Sequence, residues 1–138
     1  MTNNFQKFNI KNLKGTGTAL VTPFKKDLQI DYKSIDKLLD HQLAGGVNFL
    51  VLFGTTGESV TLLIEEKKEI FAFVKKKTEN KIPLVYGLGG NSTSQLINEL
   101  KETDFSGASA ILSVCPYYNK PSQTGLLNHF QLLADHSP

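Results

Sequence analysis

The sequence has few of the residues that mark a disulfide-bonded, secreted or membrane-embedded protein. Cys115 is the only cysteine among 138 residues, which excludes an intrachain disulfide and fits a reducing compartment. No apolar run approaches the roughly 18–20 residues of a membrane span. Residues 1–15 also lack the apolar core of about 7–15 residues that a secretory signal contains. These absences predict a cytoplasmic protein.

The charged residues and histidines do not indicate a particular binding partner. A net charge of +2 is too small to indicate binding to a nucleic acid or to an anionic membrane. His41, His129 and His136 do not stand at metal-ligand spacing with Asp, Glu or Cys, so we predict neither a metal site nor a bound cofactor. The length fits one domain of about 100–200 residues, without a linker or low-complexity tract.

What the sequence does contain is a fourfold alternation of two kinds of segment. Short apolar segments predict strands at 17–24, 47–54, 82–90 and 108–116, and helical spacing of apolar residues predicts helices at 34–46, 62–77, 92–104 and 122–136. Strands that are apolar throughout are typical of a parallel sheet covered by helices. Two architectures remain open: a doubly wound sheet, or half of a (β/α)₈ TIM barrel, which typically needs about 250 residues.

Polar residues are concentrated directly after the predicted strands. They are Thr22-Pro23, residues 54–59, residues 87–91 and residues 116–119. In both parallel architectures, ligands bind at the edge of the sheet where the strands end, here called the carboxyl edge. The loops at the opposite edge have the composition of plain connectors.

The segment "GTTGES" (54–59) is the most informative of these. Its two glycines allow a sharp turn and leave backbone N–H groups free, and these groups with a threonine hydroxyl can bind a carboxylate. A tight turn in which the threonines bond only to local backbone explains the pattern equally well. The segment lacks the lysine of a phosphate-binding P-loop, and "GLGGNS" (87–92) matches a dinucleotide fingerprint only in part.

The second dense polar segment is "CPYYNKPS" (115–122). Of its tyrosines, one could line a site while the other crosses a subunit interface, or both rings could pack with their hydroxyls in water. We expect Cys115 to be a small buried residue at a strand end. We expect the lysines at 67–68 and 75–77 to form a solvated helix face, and Glu58 to act structurally near a helix start.

Four segments taken together resemble the dihydrodipicolinate synthase family, Schiff-base lyases related to N-acetylneuraminate lyase. They are "GTGTALVTPF", "GTTGES", "GLGGNST" and "PYYNKPSQTGLLNHF", and the resemblance begins near residue 14. It implies a (β/α)₈ barrel of which residues 1–138 form the N-terminal half, truncated after the fourth helix. It also implies condensation of pyruvate with L-aspartate 4-semialdehyde through a Schiff base on a lysine, in lysine and diaminopimelate biosynthesis.

The resemblance assigns roles to particular residues. Thr56 would hold the pyruvate carboxylate, and Thr55 would belong to a proton relay with Tyr118, which would reach in from a neighbouring subunit of a homotetramer, a dimer of dimers. An effector cleft that binds lysine in some members would contain Ser59, Asn91 and Tyr117. All of these roles are implied by the resemblance alone.

The sequence departs from the family pattern in three respects. The Schiff-base lysine, a second relay tyrosine and a substrate-binding arginine would all lie beyond residue 138, so we predict that these 138 residues alone are inactive. As a half barrel they should aggregate, pair with another half or be marginally folded. Gln95, Ile64 and Lys67 replace the glutamate and histidines of lysine-sensitive members, which argues against lysine inhibition, and Leu63 replaces a helix-capping serine. Alternatives are a neuraminate lyase or sugar-acid aldolase of the same superfamily, and a non-catalytic remnant that binds partners or anions.

Overall fold

The computed structural model describes residues 13–79 and 81–138. Strands and helices alternate in the order β1 (Gly17–Ala19), α1 (Tyr32–Ala44), β2 (Phe49–Leu52), α2 (Ile64–Thr78), β3 (Leu84–Gly87), α3 (Thr93–Glu102), β4 (Ala108–Leu112) and α4 (Gln123–His136). Two short 3₁₀ turns, Thr55–Gly57 and Ser59–Thr61, lie between β2 and α2. The four predicted strand–helix pairs are therefore confirmed, and each observed strand is shorter than its predicted segment.

The strands form one parallel sheet in the order β1-β2-β3-β4. β2 and β3 are central, and nearly all of their residues are buried, as the apolar runs predict. β1 and β4 are the edges of the described sheet and are more exposed, so the prediction of burial on both faces is wrong for them. An edge strand has a neighbour on one side only, and its apolar side chains are therefore covered less completely.

The core lies between the sheet and the helices. Leu50 and Leu84 from the strands are buried against apolar residues of α1, α2 and α3. The ring of Tyr86 is at the centre of this layer and contacts Phe53, Phe71 and Phe105 edge-to-face, with ring centroids 4.8, 5.4 and 5.1 Å apart. Such aromatic pairs add about 0.5–1.5 kcal/mol each beyond their buried area, so the layer is well stabilised.

The opposite face of the sheet is more open. Tyr86 pairs with Ile111 and faces the helices, so the next pair, Gly87 and Leu112, faces the other way. Leu112 is 52% exposed, and Val21 and Val114 are also exposed apolar residues. Association through this face remains a prediction. None of the helices within the described ranges is long and apolar enough to cross a membrane.

Polar side chains or backbone caps set the helix starts. Asp31, Ser92 and Ser122 each accept a hydrogen bond from the backbone N–H three residues later, which satisfies one free donor of the first turn. Serine at position 92 is a residue type that favours this cap. At α2, Leu63 has no polar side chain, and the Glu66 carboxylate instead accepts from the Leu63 N–H at 2.8 Å. The missing serine is therefore compensated in part by Glu66.

Candidate functional site at the carboxyl edge

The loops after β1 and β2 are joined by a buried hydrogen bond. The Thr22 hydroxyl donates to the Gly57 carbonyl at 2.7 Å. A Cβ on Gly57 would lie 3.0 Å from the Leu20 carbonyl oxygen, so the two loops approach too closely for a side chain at this position. Thr22 and Gly57 thus hold the segment with the threonine pair against the end of β1.

Thr55 and Thr56 open the first 3₁₀ turn after β2, and both are exposed. The turn is closed by hydrogen bonds from the Gly57 N–H to the Gly54 carbonyl at 3.0 Å and from the Glu58 N–H to the Thr55 carbonyl at 3.1 Å. The first N–H groups of a helical turn have no acceptor within it, so the amides of the threonine pair are placed to bind an anion. The turn therefore presents two hydroxyls and two N–H donors at the carboxyl edge.

The backbone on either side of this turn is strained. Phe53 and Glu58 adopt φ angles of +57° and +52°, in the left-handed region that non-glycine residues rarely enter. Each such residue costs of the order of 1–3 kcal/mol and persists only where the surrounding structure enforces it. The buried Phe53 ring, packed on Tyr86, supplies that enforcement on one side. Strain on both sides of an exposed polar turn is a common feature of functional sites.

The loops after β3 and β4 are joined in a similar way. The Asn91 side-chain carbonyl accepts a hydrogen bond from the Tyr117 N–H at 2.8 Å. The Leu88 N–H donates to the Leu112 carbonyl at 2.9 Å, just before these loops diverge. A Cβ on Gly87 would overlap the Phe53 carbonyl, which brings the β3 loop equally close to the β2 loop. The four loops thus form one continuous surface.

Tyr117 and Tyr118 differ in their surroundings. Tyr117 is 41% exposed, whereas Tyr118 is 87% exposed and has a φ angle of +66°. The left-handed backbone at Tyr118 is a further strained position on the carboxyl edge. A tyrosine held in this conformation with its ring in solvent is suited to contact a group outside this chain.

The structure brings some of the predicted site residues together and separates others. Asn91 and Tyr117 are hydrogen-bonded to each other. Thr55 and Tyr118 follow β2 and β4, so they share the carboxyl edge but are separated by β3, about 10 Å at the usual strand spacing. Within the described part of the chain, no hydrogen bond joins Thr55 to Tyr118. Ser59 lies in the second 3₁₀ turn, and among the described residues it makes no hydrogen bond with Asn91 or Tyr117.

Two expectations about single residues are wrong. Cys115 is exposed, because the chain has already left β4 at Leu112 and no helix covers it. Lys67 is buried, and its ammonium group lies 3.2 Å from the Glu99 carboxylate in an ion pair between α2 and α3. A buried ammonium group needs a partner of opposite charge, and Glu99 provides it.

Burial, followed by the charge of Glu99, raises the pKa of the nearby Tyr86 phenol.

The other two replacements in the predicted effector cleft lie at helix starts. Ile64 is the first residue of α2 and is partly exposed. Gln95 is exposed in the first turn of α3, where its N–H donates to the Ser92 hydroxyl at 3.4 Å. Because Lys67 is paired with Glu99, its ammonium group is already satisfied and its charge is compensated.

Three features of the structure were missed or underestimated by reasoning from sequence. Thr22 was assigned only to a polar loop, and the strain at Phe53 has no signal in its residue type. His129 was placed in a helix without a role, although its 3% exposure and its bond to Thr93 make it part of the core. Its spacing of three and four residues from Leu126 and Leu133 could have indicated a buried position.

Four parallel strand–helix units with their polar residues at the carboxyl edge define the first half of a (β/α)₈-barrel protein. The chain belongs to a particular group of such barrels, the dihydrodipicolinate synthetase family, since a model of that family matches residues 12–138. The resemblance and the barrel fold expected from the sequence are thereby confirmed.

Relatives with known names agree with this assignment. A curated protein from Parabacteroides distasonis, named 4-hydroxy-tetrahydrodipicolinate synthase, is 49% identical over 124 residues, or 90% of this chain and 42% of that protein. A protein of the same name from Bdellovibrio bacteriovorus is 51% identical over 125 residues, or 91% of this chain and 42% of that protein. The chain therefore spans less than half the length of these relatives.

Solved structures give the same result for the fold. Dihydrodipicolinate synthase from Thermotoga maritima matches with a TM-score of 0.84 and 40% identity, covering 90% of this chain and 42% of that one. The chloride-inhibited synthase from Acinetobacter baumannii, complexed with pyruvate, matches with a TM-score of 0.85 and 40% identity, covering 90% of this chain and 43% of that one.

Proposed function

We propose that this chain supplies the first half of a 4-hydroxy-tetrahydrodipicolinate synthase, as one segment of a single barrel domain. The enzyme is a lyase that condenses pyruvate with L-aspartate 4-semialdehyde, in lysine and diaminopimelate biosynthesis in the cytoplasm. The observation that carries the proposal is the exposed, strained Thr55–Thr56 turn, on the same carboxyl edge as the Tyr117–Tyr118 loop. The named relatives support the synthase over a neuraminate lyase or a sugar-acid aldolase.

The two threonines have different roles in this proposal. Thr56, with the N–H groups at the start of the turn, binds the carboxylate of pyruvate, because charge-assisted hydrogen bonds to an anion are the strong ones. A lysine from the remainder of the barrel forms the Schiff base with the keto carbon, and the resulting enamine is the nucleophile. The hydroxyl of Thr55 passes protons between tyrosines during these steps.

Tyr118 is the relay tyrosine contributed by a neighbouring subunit. Its ring is 87% exposed, and its left-handed backbone holds it away from its own chain, as such a contribution requires. The active form is therefore a homo-oligomer, a dimer of dimers. Feedback inhibition by lysine is weak in this proposal, because Gln95, Ile64 and Lys67 occupy the positions where lysine-sensitive members have a glutamate and histidines.

Replacing one hydroxyl tests the role of Thr55. In the complete barrel, Thr55→Val removes the hydroxyl at nearly constant shape, and turnover falls by about a hundredfold or more if proton transfer passes through it. Pyruvate still forms its adduct, which borohydride reduction and mass spectrometry detect. Thr55→Ser, which keeps the hydroxyl, retains most of the activity. Loss of the adduct in the valine variant would instead make Thr55 a binding residue.

The 138-residue chain on its own provides a second test. We expect no adduct when it is incubated with pyruvate and borohydride, because none of its lysines corresponds to the strand-borne lysine of the family. Its lysines after the strands, Lys25, Lys26 and Lys120, lie in loops. The complete barrel is the positive control. A stable pyruvyl adduct on one lysine of the short chain would contradict this assignment.

A further inference from the structure

His129 is a buried polar residue that the proposed chemistry does not use. It lies in the middle of α4 with 3% of its surface exposed, and its Nδ1 is 2.8 Å from the hydroxyl of Thr93. Thr93 is the first residue of α3. The hydrogen bond therefore joins the interior of one helix to the start of its neighbour.

This bond lies close in sequence to the contact between the loops that follow β3 and β4. Asn91, which accepts from the Tyr117 N–H at 2.8 Å, is two residues before Thr93. Tyr117 in turn belongs to the loop that leads into α4, which begins at Gln123 and contains His129. In addition to the backbone bonds of the sheet and the Leu88–Leu112 bond that extends them, one side-chain hydrogen bond joins the loops of these two strand–helix units and another joins their helices. Two fixed points on each side define the relative position of the loops more closely than one.

The two helices that carry the pair also contribute apolar residues to the core. Leu96 and Leu100 of α3 and Leu133 of α4 are buried in the same core cluster. Apolar contacts alone hold two helices together but permit small shifts along their axes, whereas a buried hydrogen bond is directional and is lost when the atoms separate. A polar pair in this layer therefore determines the position of the helices rather than only their association.

The surroundings also indicate which nitrogen of His129 carries the proton. Nε2 is buried and has no hydrogen-bond partner among the described residues. A buried N–H without an acceptor is rarer and more costly than a buried acceptor without a donor. This arrangement favours the tautomer that carries its proton on Nδ1 and donates it to the Thr93 hydroxyl oxygen.

We propose that Thr93 and His129 form a positioning pair that holds the Tyr117–Tyr118 loop against the Asn91 loop. Neither residue touches the reacting atoms, and both act through the Asn91–Tyr117 hydrogen bond. The importance of the loop for catalysis rests on the proposed function. The coupling between the Thr93–His129 bond and the Asn91–Tyr117 bond is a property of this fold, and it can be measured without substrate.

Amide hydrogen exchange on the complete barrel tests whether the Thr93–His129 bond stabilises the Asn91–Tyr117 contact. In Thr93→Val, which keeps the shape and removes the hydroxyl, the Tyr117 amide exchanges about five- to tenfold faster, the effect of one hydrogen bond of roughly 1 kcal/mol. The Leu50 amide, bonded to the Pro83 carbonyl in the centre of the sheet, is unchanged. Thr93→Ser keeps the wild-type rates. An unchanged Tyr117 amide in Thr93→Val, or equal acceleration of both amides, would overturn the proposal.

Two substitutions of His129 provide an independent control. Asparagine can place a polar atom near Nδ1, and glutamine can place one near Nε2. We expect His129→Asn to retain more of the Tyr117 protection than His129→Gln, and the reverse order would contradict the inferred geometry. Nitrogen-15 chemical shifts of the wild-type ring should show protonation on Nδ1, and protonation on Nε2 would overturn the tautomer. A failure of Thr55→Val to affect turnover would refute the proposed function and leave these results unaffected.

Discussion

The layer between the sheet and the helices differs sharply from the carboxyl edge of the same strands. In the layer, Leu39 and Leu50 are completely buried, and Tyr86 is surrounded by other aromatic rings. At the edge, Thr55 and Tyr118 are exposed, and the backbone is strained. The layer is satisfied by contacts within the chain, whereas the edge carries the exposed residues of the proposed site. The difference indicates that the residues that stabilise each strand–helix unit are separate from those proposed to bind a ligand.

The two regions are nevertheless connected energetically. The strained residues at the edge each cost of the order of 1–3 kcal/mol, and the close-packed layer beneath them offsets that cost. Phe53 belongs to both regions, since its side chain is buried on Tyr86 while its backbone begins the turn to the threonine pair. Substitutions should therefore have effects that fall in a definite order from the layer to the edge.

Truncation within the layer should have the largest effect. Leu39→Ala removes a fully buried side chain from α1, and we expect the free energy of unfolding to fall by about 3–5 kcal/mol from lost burial and the resulting cavity. Leu28→Ala is the matched control, because Leu28 is 79% exposed and should change stability little. Urea denaturation measures both. If the two variants lose similar free energies of unfolding, burial in the layer does not determine the size of the effect.

Breaking the buried ion pair should rank second. Lys67→Met leaves the Glu99 carboxylate buried without its cation, which we expect to cost about 3 kcal/mol. The double variant Lys67→Met, Glu99→Leu leaves no uncompensated charge and should recover most of the loss. Denaturation of the single and double variants measures how strongly the effects of Lys67 and Glu99 on the free energy of unfolding depend on each other. A single variant as stable as the wild type would show that the pair is solvated in solution.

A change at the carboxyl edge should have the smallest effect on stability. Gly57→Ala places a Cβ 3.0 Å from the Leu20 carbonyl oxygen, and we expect a loss of about 1–2 kcal/mol as the loops move apart. Gly54→Ala is the control, since its Cβ would meet only Val51 at 4.0 Å. In the complete barrel, Gly57→Ala should also weaken pyruvate binding by displacing Thr56. If Gly57→Ala lowers stability but leaves pyruvate binding normal, the close contact at Gly57 does not position Thr56 for binding.

Reasoning from the sequence was accurate where the signal is local. The apolar periods located all four strand–helix pairs, and the cap at Ser92 follows from residue type. It was less accurate for pairs that depend on distant residues. Lys67 and Glu99 are 32 positions apart, and Thr93 and His129 are 36 apart. Each partner, taken in its own helix, has the pattern of an ordinary surface or core position.

The sequence by itself determined the parallel strand–helix order and the polar composition of the carboxyl edge, because hydrophobic period and turn residues act over a few neighbouring positions. Only the tertiary structure decided that Cys115 is exposed, that Lys67 is buried, and that Tyr118 is held in a left-handed conformation. These properties depend on which segments become neighbours when the sheet forms. The identity of a residue's neighbours across the sheet sets its burial, charge compensation and strain.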